Sequence, residues 1–201
     1  MVRGVESRQA GDMGARCIDC NGFVLEDSVI DGALNHGLDV FNCAACRVSR
    51  NRITNTATVA GMGRGGNGQY NGVRFGGPGS LFERNEVRRT GYLGVDIRGP
   101  AMIRRNSFSE FNLVKTDGAG IYTWTNKAVE IAENLVFDGA GSMVAWQGIG
   151  ELRPNGAWAT IRPAETRGEQ PQIYMSGVKP FGGPSVDRYT PEPGYDWARY
   201  E

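Results

Sequence analysis

The segment Val48-Ser49-Arg50-Asn51-Arg52-Ile53 contains a short pattern that recurs along the chain: an apolar residue, two further residues, Asn, one residue and a second apolar residue. Three more copies keep the Asn and a fourth has Asp in its place: Phe82-Glu83-Arg84-Asn85-Glu86-Val87, Ile103-Arg104-Arg105-Asn106-Ser107-Phe108, Ile131-Ala132-Glu133-Asn134-Leu135-Val136 and Val24-Leu25-Glu26-Asp27-Ser28-Val29. The key positions are 24, 34, 21 and 28 residues apart. Because glycine and β-branched residues punctuate these segments, the pattern does not fit a helix.

A second short strand is predicted upstream of each copy that keeps the Asn. Its first and third residues are mostly apolar and face inward, while the second and fourth face outward. The four segments are Leu38-Asp39-Val40-Phe41, Val73-Arg74-Phe75-Gly76, Val95-Asp96-Ile97-Arg98 and Ile121-Tyr122-Thr123-Trp124. Two or three such strands per repeat, each stacked on its equivalent, predict parallel sheets wound with a right-handed connection.

We expect the repeated Asn residues to stack in one column at a bend, with Asp27 at its end. Asn tolerates the left-handed backbone conformation, and amides stacked at about 4.8 Å can form a hydrogen-bonded ladder. The sequence therefore predicts an all-β, right-handed parallel β-helix solenoid over residues 15–147. An irregular lead-in at residues 1–14, which we expect to be truncated, precedes it, and an irregular Pro- and Gly-rich segment at 148–201 follows it.

The composition limits the classes of partner. The chain has 22 basic and 22 acidic residues, so bulk attraction to nucleic acid or to an anionic membrane is not expected. No apolar run reaches 18 residues, so no membrane span is predicted, and residues 1–7 lack the apolar core of a secretory signal. Thirty glycines and nine prolines indicate many turns.

The repeat, together with the run Lys115-Thr116-Asp117-Gly118-Ala119-Gly120-Ile121-Tyr122-Thr123-Trp124, resembles bacterial secreted proteins of the right-handed β-helix, pectin-lyase-like superfamily. The resemblance covers roughly residues 15–145. It implies an extracellular or cell-surface location and a polysaccharide partner. Because that superfamily includes polysaccharide lyases, glycoside hydrolases, uronan epimerases and phage tailspikes, the fold alone does not determine the chemistry.

Two insertions, at residues 57–71 and 112–118, fall at the same predicted corner and lead into one outward row of side chains. That row contains Asp39, Arg74, Asp96 and Tyr122, and the next outward positions are Phe41, Gly76, Arg98 and Trp124. Loops beside a rigid sheet often carry function, so we expect a groove here, with substrate bound by Arg98, Tyr122 and Trp124.

Three interpretations of the row remain open. In a hydrolase, Asp39 and Asp96 would be acid and base about 10 Å apart, at or just beyond the spacing of inverting enzymes. In a lyase, as the resemblance implies, carboxylates would hold Ca²⁺ to neutralise a uronate while Arg74 or Lys115 removes the α proton, with Asp117 beside Lys115 in the inserted loop. Alternatively, Arg74 simply forms an ion-pair ladder between Asp39 and Asp96.

A second row precedes the repeated Asn residues. It contains the residues Glu26, Arg50, Arg84, Arg105 and Glu133. Its three arginines could bind an anionic polymer through paired hydrogen bonds. The alternative is a charged surface stripe that neighbouring Glu residues neutralise.

The remaining candidates are one histidine and four cysteines. His36 is interpreted as a solvated turn residue, because no adjacent catalytic motif accompanies it. The spacing C-x₂-C-x₂₂-C-x₂-C of Cys17, Cys20, Cys43 and Cys46 suggests zinc, with a disulfide as a further alternative. Because the two pairs lie in consecutive repeats, small buried side chains are the simpler interpretation.

The sequence thus predicts a protein that binds and cleaves an acidic polysaccharide, with a lyase ahead of a hydrolase. The alternative is a non-catalytic polysaccharide-binding, adhesin or tailspike-like segment, which the lack of a complete catalytic motif favours. Ca²⁺ is the one cofactor considered for the row. No nucleic-acid partner is expected.

Overall fold

The computed structural model describes residues 1–66, 68–125, 127, 129–140 and 142–147, together with the strands at 159–162, 173–176 and 188–189. This part of the chain is all-β and contains no helix. Apart from those three strands, the expected irregular segment at 148–201 lies outside the described residues. The strands are β1 (Val2–Arg3), β2 (Glu6–Arg8), β3 (Met13–Ile18), β4 (Val24–Glu26), β5 (Val29–Asp31), β6 (His36–Phe41), β7 (Arg47–Ser49), β8 (Arg52–Thr56), β9 (Val73–Gly76), β10 (Leu81–Glu83), β11 (Glu86–Thr90), β12 (Val95–Ile97), β13 (Ala101–Arg104), β14 (Ser107–Ser109), β15 (Ala119–Thr123), β16 (Val129–Phe137), β17 (Ser142–Gln147), β18 (Ala159–Arg162), β19 (Ile173–Ser176) and β20 (Arg188–Tyr189).

These strands form two long parallel sheets, the first of them curled. The first sheet runs β1-β4-β7-β10-β13-β16 and returns as β14-β11-β8-β5-β2, because the nine-residue β16 pairs with both branches. The second sheet has the order β20-β19-β17-β15-β12-β9-β6-β3. Among the described strands, only the pair β19–β20 is antiparallel. The predicted all-β architecture with long parallel sheets is therefore present.

Apolar side chains stack in register between the sheets. In the first branch Leu25 pairs with Val48, Val48 with Phe82, and Phe82 with Ile103. Each of these four residues is at most 2% exposed, and equivalent columns from the other branch and from the second sheet complete the core. Full burial of one such side chain stabilises the fold by about 1.5–3 kcal/mol.

Asn51, Asn85, Asn106 and Asn134 form one buried column, which confirms the prediction for these four residues. The backbone N and the Nδ2 of Asn85 both donate to the Oδ1 of Asn106, at 2.9 and 3.1 Å, and Nδ2 also donates to the Val48 carbonyl at 3.0 Å. Asn51 and Asn106 repeat this arrangement toward the next Asn. Each amide therefore links three successive repeats and satisfies buried backbone groups that would cost about 1–3 kcal/mol if left unpaired.

The fifth position of the column is Ser28, so the prediction for Asp27 is wrong. Leu25 pairs with Val48, which brings Ser28 level with Asn51. The Oδ1 of Asn51 accepts a hydrogen bond from the Ser28 backbone N at 3.0 Å. Asp27 occupies the preceding, more exposed position of the bend.

The left-handed residue at the bend is the one before each Asn, and not the Asn itself as predicted. Its φ angle lies between 50° and 56° in five repeats, at Asp27, Arg50, Arg84, Arg105 and Glu133. Because L residues other than glycine adopt this conformation at a cost of roughly 1–2 kcal/mol, the flanking strand hydrogen bonds must offset it.

A column of glycines, not anticipated from the sequence, lies at the beginning of the strands of the second sheet, within the first two residues or just before them. A Cβ atom on Gly72 would lie 2.7 Å from the Gly94 carbonyl oxygen and 2.7 Å from both the Val87 and Thr90 side chains. The pattern in the sequence is Gly, an apolar residue, any residue and a second apolar residue, with Thr123 in that last position in one copy. It occurs at Gly14, Gly37, Gly72, Gly94 and Gly120, and each glycine stands one residue before an apolar residue that pairs with its counterpart in the next repeat.

The strands begin earlier than the sequence indicates. Within the segment expected to be irregular, β1 pairs with β4 and β2 pairs with β5. Gly4 has φ 64° and occupies the bend position equivalent to Asp27. Polar residues in β2 hide the alternation that would identify a strand from sequence.

Candidate functional site

The strand register confirms the predicted row. Asp39 pairs with Arg74, Arg74 with Asp96, and Asp96 with Tyr122. Arg16 of β3 pairs with Asp39 and extends the row by one repeat. Four of these five residues are charged, so their ionic contacts decide what the row can do.

Asp39 lies beneath two arginines. Its carboxylate is completely buried and accepts hydrogen bonds from Nε and Nη2 of Arg74 at 2.7 and 2.6 Å. The Nε of Arg16 lies 3.4 Å from the same carboxylate. The hydrogen bond to Asp39 raises the pKa of Arg74 above its usual value, so this guanidinium stays charged. Both carboxylate oxygens are thus already occupied.

Asp96 is enclosed in a similar way. It is also completely buried, and the Nε of Arg98 lies 2.9 and 2.8 Å from its two oxygens. The Nδ2 of Asn71 donates to Oδ2 at 3.2 Å. Burial raises the pKa of the Asp96 carboxyl, and the Arg98 charge opposes that shift. Neither Asp39 nor Asp96 therefore offers oxygens for a Ca²⁺ ion while these salt bridges are intact.

Two guanidinium groups cover aromatic rings on the outer side of the row. The Cζ of Arg74 lies 5.4 Å from the centroid of the Phe41 ring, and the Cζ of Arg98 lies 5.4 Å from that of Trp124. The Tyr122 and Trp124 rings stack with centroids 6.3 Å apart. We call these five residues the Arg–aromatic face. Trp124 is 51% exposed, whereas Tyr122 is buried. Burial raises the pKa of the Tyr122 hydroxyl to about 12.

The two insertions contact each other through Lys115. Its Nζ donates to the carbonyls of Gly66 and Gln69 at 2.9 and 3.4 Å. The same Nζ lies 4.9 and 5.1 Å from the ring centroids of Tyr70 and Tyr92. Burial lowers the pKa of Lys115. This side chain therefore joins the Gly-rich loop to the second insertion beside the face.

Asp117 lies in the second insertion, near the Tyr92 hydroxyl. Its side chain is exposed. Burial and the Asp117 carboxylate together raise the pKa of Tyr92. The geometry thus places Asp117 at the rim of the insertion and Lys115 inside it.

His36 is buried, so its interpretation as a solvated turn residue is wrong. Its exposed fraction is 0%, and neither ring nitrogen has a hydrogen-bond partner among the described residues. Burial lowers the pKa of His36 to about 4, an effect that the nearby Asp39 carboxylate only partly opposes. The imidazole is therefore neutral at pH 7.

The second row is a set of surface ion pairs with one exception. The register places Asp27, rather than the predicted Glu26, level with Arg50, and Arg50 bonds Asp27 at 2.7 and 3.0 Å. Arg105 pairs with Glu133. Arg84 is exposed, and no carboxylate among the described residues lies within 4 Å of it. Only Arg84 of the three predicted substrate-binding arginines thus lacks an acidic partner in this part of the chain.

The cysteines do not all act as small buried side chains. Cys17 and Cys20 form a disulfide, while Cys43 and Cys46 are free and buried. The simple packing interpretation therefore holds for the second pair and is wrong for the first. The two C-x₂-C motifs look equivalent in the sequence. In the structure they differ in burial, since Cys17 and Cys20 are partly exposed and Cys43 and Cys46 are buried.

Among the residues that the structure describes, no helix has the length and apolarity to cross a bilayer. The sequence matches no protein-family model and none of the curated proteins.

Proposed function

We propose that this chain is a right-handed parallel β-helix that binds an anionic polysaccharide on the Arg–aromatic face without cleaving it. The observation that carries the proposal is the half-exposed Trp124 ring with the Arg98 guanidinium 5.4 Å from its centroid. The same combination of cation and ring recurs at Arg74 and Phe41.

The order in which the chain visits the sheets supports the β-helix. From β4 to β15, successive strands lie in the first branch, the second branch and the second sheet, and then the cycle repeats. Each passage returns the chain one strand further along, in parallel register. Parallel connections are right-handed in nearly all proteins, so we assign that hand.

The chemistry of the face suits an acidic sugar chain. An aromatic ring offers an apolar surface to the C–H groups of a pyranose, and a guanidinium binds a carboxylate through two parallel hydrogen bonds. From Phe41 to Trp124 the face covers three strand spacings, about 14 Å. Asp39 binds the Nε and Nη2 of Arg74, and Asp96 binds the Nε of Arg98. Each guanidinium therefore keeps further N–H donors for a ligand.

The same contacts support binding in preference to cleavage. Asp39 and Asp96 are buried within salt bridges, and a guanidinium whose pKa is raised by its carboxylate partner is a poor base. Lys115 is occupied by two loop carbonyls. Acid, base and nucleophile roles for these residues would require the salt bridges to open.

Acidic polysaccharides surround cells, so we expect an extracellular setting.

The test is a binding and activity panel on the full chain. Polygalacturonate, alginate and hyaluronate are compared with neutral dextran by isothermal titration, while ultraviolet absorbance follows any unsaturated product. We expect binding to at least one uronate polymer, none to dextran and no rise in absorbance. Absence of binding to every acidic polymer overturns the proposal, and product formation that Arg74→Ala abolishes replaces it with a lyase.

A further inference from the structure

Three cysteine sulfurs from two successive repeats meet at one side of the core. Cys17 lies near the end of β3, and Cys20 lies in the turn that follows. Because Ile18 pairs with Phe41, Cys20 is level with Cys43 of the next repeat. The sulfur atoms of Cys17, Cys20 and Cys43 all lie within 4.8 Å of one another. This arrangement has no part in the Arg–aromatic face and is independent of the proposed function.

Once the Cys17–Cys20 bond is broken, the three sulfurs are near enough to one another to share a metal ion. Zinc binds thiolate sulfur at about 2.3 Å, so ligands in a tetrahedral site lie about 3.8 Å apart. A pair of Cys residues two positions apart, as in Cys17-Ile18-Asp19-Cys20, is a common zinc-binding spacing. The turn between them is curved by Asp19, with φ 53°, and its neighbour Asn42 has φ 52°. The Nδ2 of Asn42 donates to Oδ1 of Asp19 at 2.6 Å, so the two turns are held side by side.

We propose that reduction of the Cys17–Cys20 disulfide creates a zinc site in which Cys17, Cys20 and Cys43 are the thiolate ligands. A phosphine or thiol reductant supplies the two electrons that break the S–S bond. Two protons from solvent then convert Cys17 and Cys20 into thiols. Zinc then displaces the three thiol protons to solvent. Water takes the fourth position, since Cys17 and Cys20 are only partly buried.

Cys46 supplies a matched control. It is as buried as Cys43 and belongs to the same C-x₂-C motif, but its sulfur lies outside the group of three. The Sγ of each thiol also donates to backbone carbonyls, that of Cys46 to Ala44 at 3.4 Å and that of Cys43 to Cys17 and Phe41 at 3.1 and 3.2 Å. Replacement of Cys46 by Ser therefore changes a neighbouring buried thiol without removing a ligand.

The experiment measures zinc in the full chain by elemental analysis after anaerobic phosphine treatment and desalting. We expect about one zinc per reduced chain, retained in Cys46→Ser, and less than a tenth of that in the oxidised protein or in Cys43→Ser. Zinc should also raise the melting temperature of the reduced wild type and of Cys46→Ser, and EDTA should reverse the rise. Reduced wild-type protein without zinc overturns the proposal, as does a Cys43→Ser variant that still binds one equivalent. Loss of zinc from folded Cys46→Ser would also overturn this ligand set.

Discussion

The guanidinium carbon of Arg98 lies 5.4 Å from the centroid of the Trp124 ring, while its Nε lies within 2.9 Å of both carboxylate oxygens of the buried Asp96. The carboxylate thus fixes the direction of the arginine, and the ring supports its face. Arg74 makes the equivalent contacts with Asp39 and Phe41 one repeat away. Buried acids therefore act here as anchors for surface cations.

The Asn column should be a principal source of stability. Replacement of Asn85 by Ala removes four side-chain hydrogen bonds in a buried column, two donated and two accepted. We therefore expect a loss of about 2–4 kcal/mol in the free energy of unfolding by urea. Asn21→Ala is the control, because Asn21 is exposed and makes only a backbone bridge, so its effect should stay within about 0.5 kcal/mol. Equal effects of the two changes would contradict a structural column.

The glycine column makes a steric prediction. Gly72→Ala should destabilise the fold by about 1–3 kcal/mol, because its Cβ would lie 2.7 Å from a backbone carbonyl oxygen that cannot move easily. Gly65→Ala should cause no loss, since nothing lies within 4 Å of a Cβ there. Melting temperatures of the two variants measure the difference. A Gly72→Ala protein as stable as Gly65→Ala would show that the repeats are not packed as described.

The left-handed bend can be tested at Arg84, where φ is 54°. Glycine adopts this conformation without steric cost, whereas a β-branched side chain does not. We expect Arg84→Gly to match or exceed the wild type in stability and Arg84→Val to fall below Arg84→Gly by about 1–2 kcal/mol. Urea unfolding of the two variants gives the comparison, and the reverse order would refute the assigned conformation.

Burial of His36 predicts a specific pH dependence of stability. The folded-state pKa is lowered to about 4, so between roughly pH 6.5 and 4 the unfolded chain binds more protons. The contribution of His36 to stability should therefore be complete above about pH 6.5 and decrease by up to about 3 kcal/mol as the pH falls toward 4. His36→Leu should flatten the slope in that window, whatever its absolute stability. An unchanged slope would mean that His36 is accessible to protons in the folded protein.

The all-β architecture with long parallel sheets could be predicted from the sequence because the repeat places special residues at bends. Asn51 stands out between two apolar residues, and three more Asn residues repeat its surroundings. Ser28 was missed because a hydroxyl replaces the amide and an Asp stands beside it. The glycine column escaped notice because the chain has 30 glycines, so only the register separates the packed ones from those in loops.

The candidate site could be predicted from the sequence only in part. Two-residue alternation predicts that Asp39, Arg74 and Asp96 share one face, and the register confirms it. Alternation does not specify whether an outward carboxylate reaches solvent. Whether these carboxylates reach solvent depends on the conformations of Arg74 and Arg98, which cover the two acids and form salt bridges with them. Burial of His36 depends in the same way on tertiary packing that the sequence pattern does not contain.

The central claim, recognition of an anionic polysaccharide by the Arg–aromatic face, is tested most directly by the affinity of Trp124→Ala for the best-binding uronate polymer. Trp124 is half exposed, so its removal should leave the fold intact, and Leu113→Ala is the control because Leu113 is 46% exposed in the second insertion. We predict at least a tenfold loss of affinity for Trp124→Ala, about 1.4 kcal/mol, no change for Leu113→Ala, and weaker wild-type binding at high salt. Full affinity in a folded Trp124→Ala protein would contradict the assignment of this face.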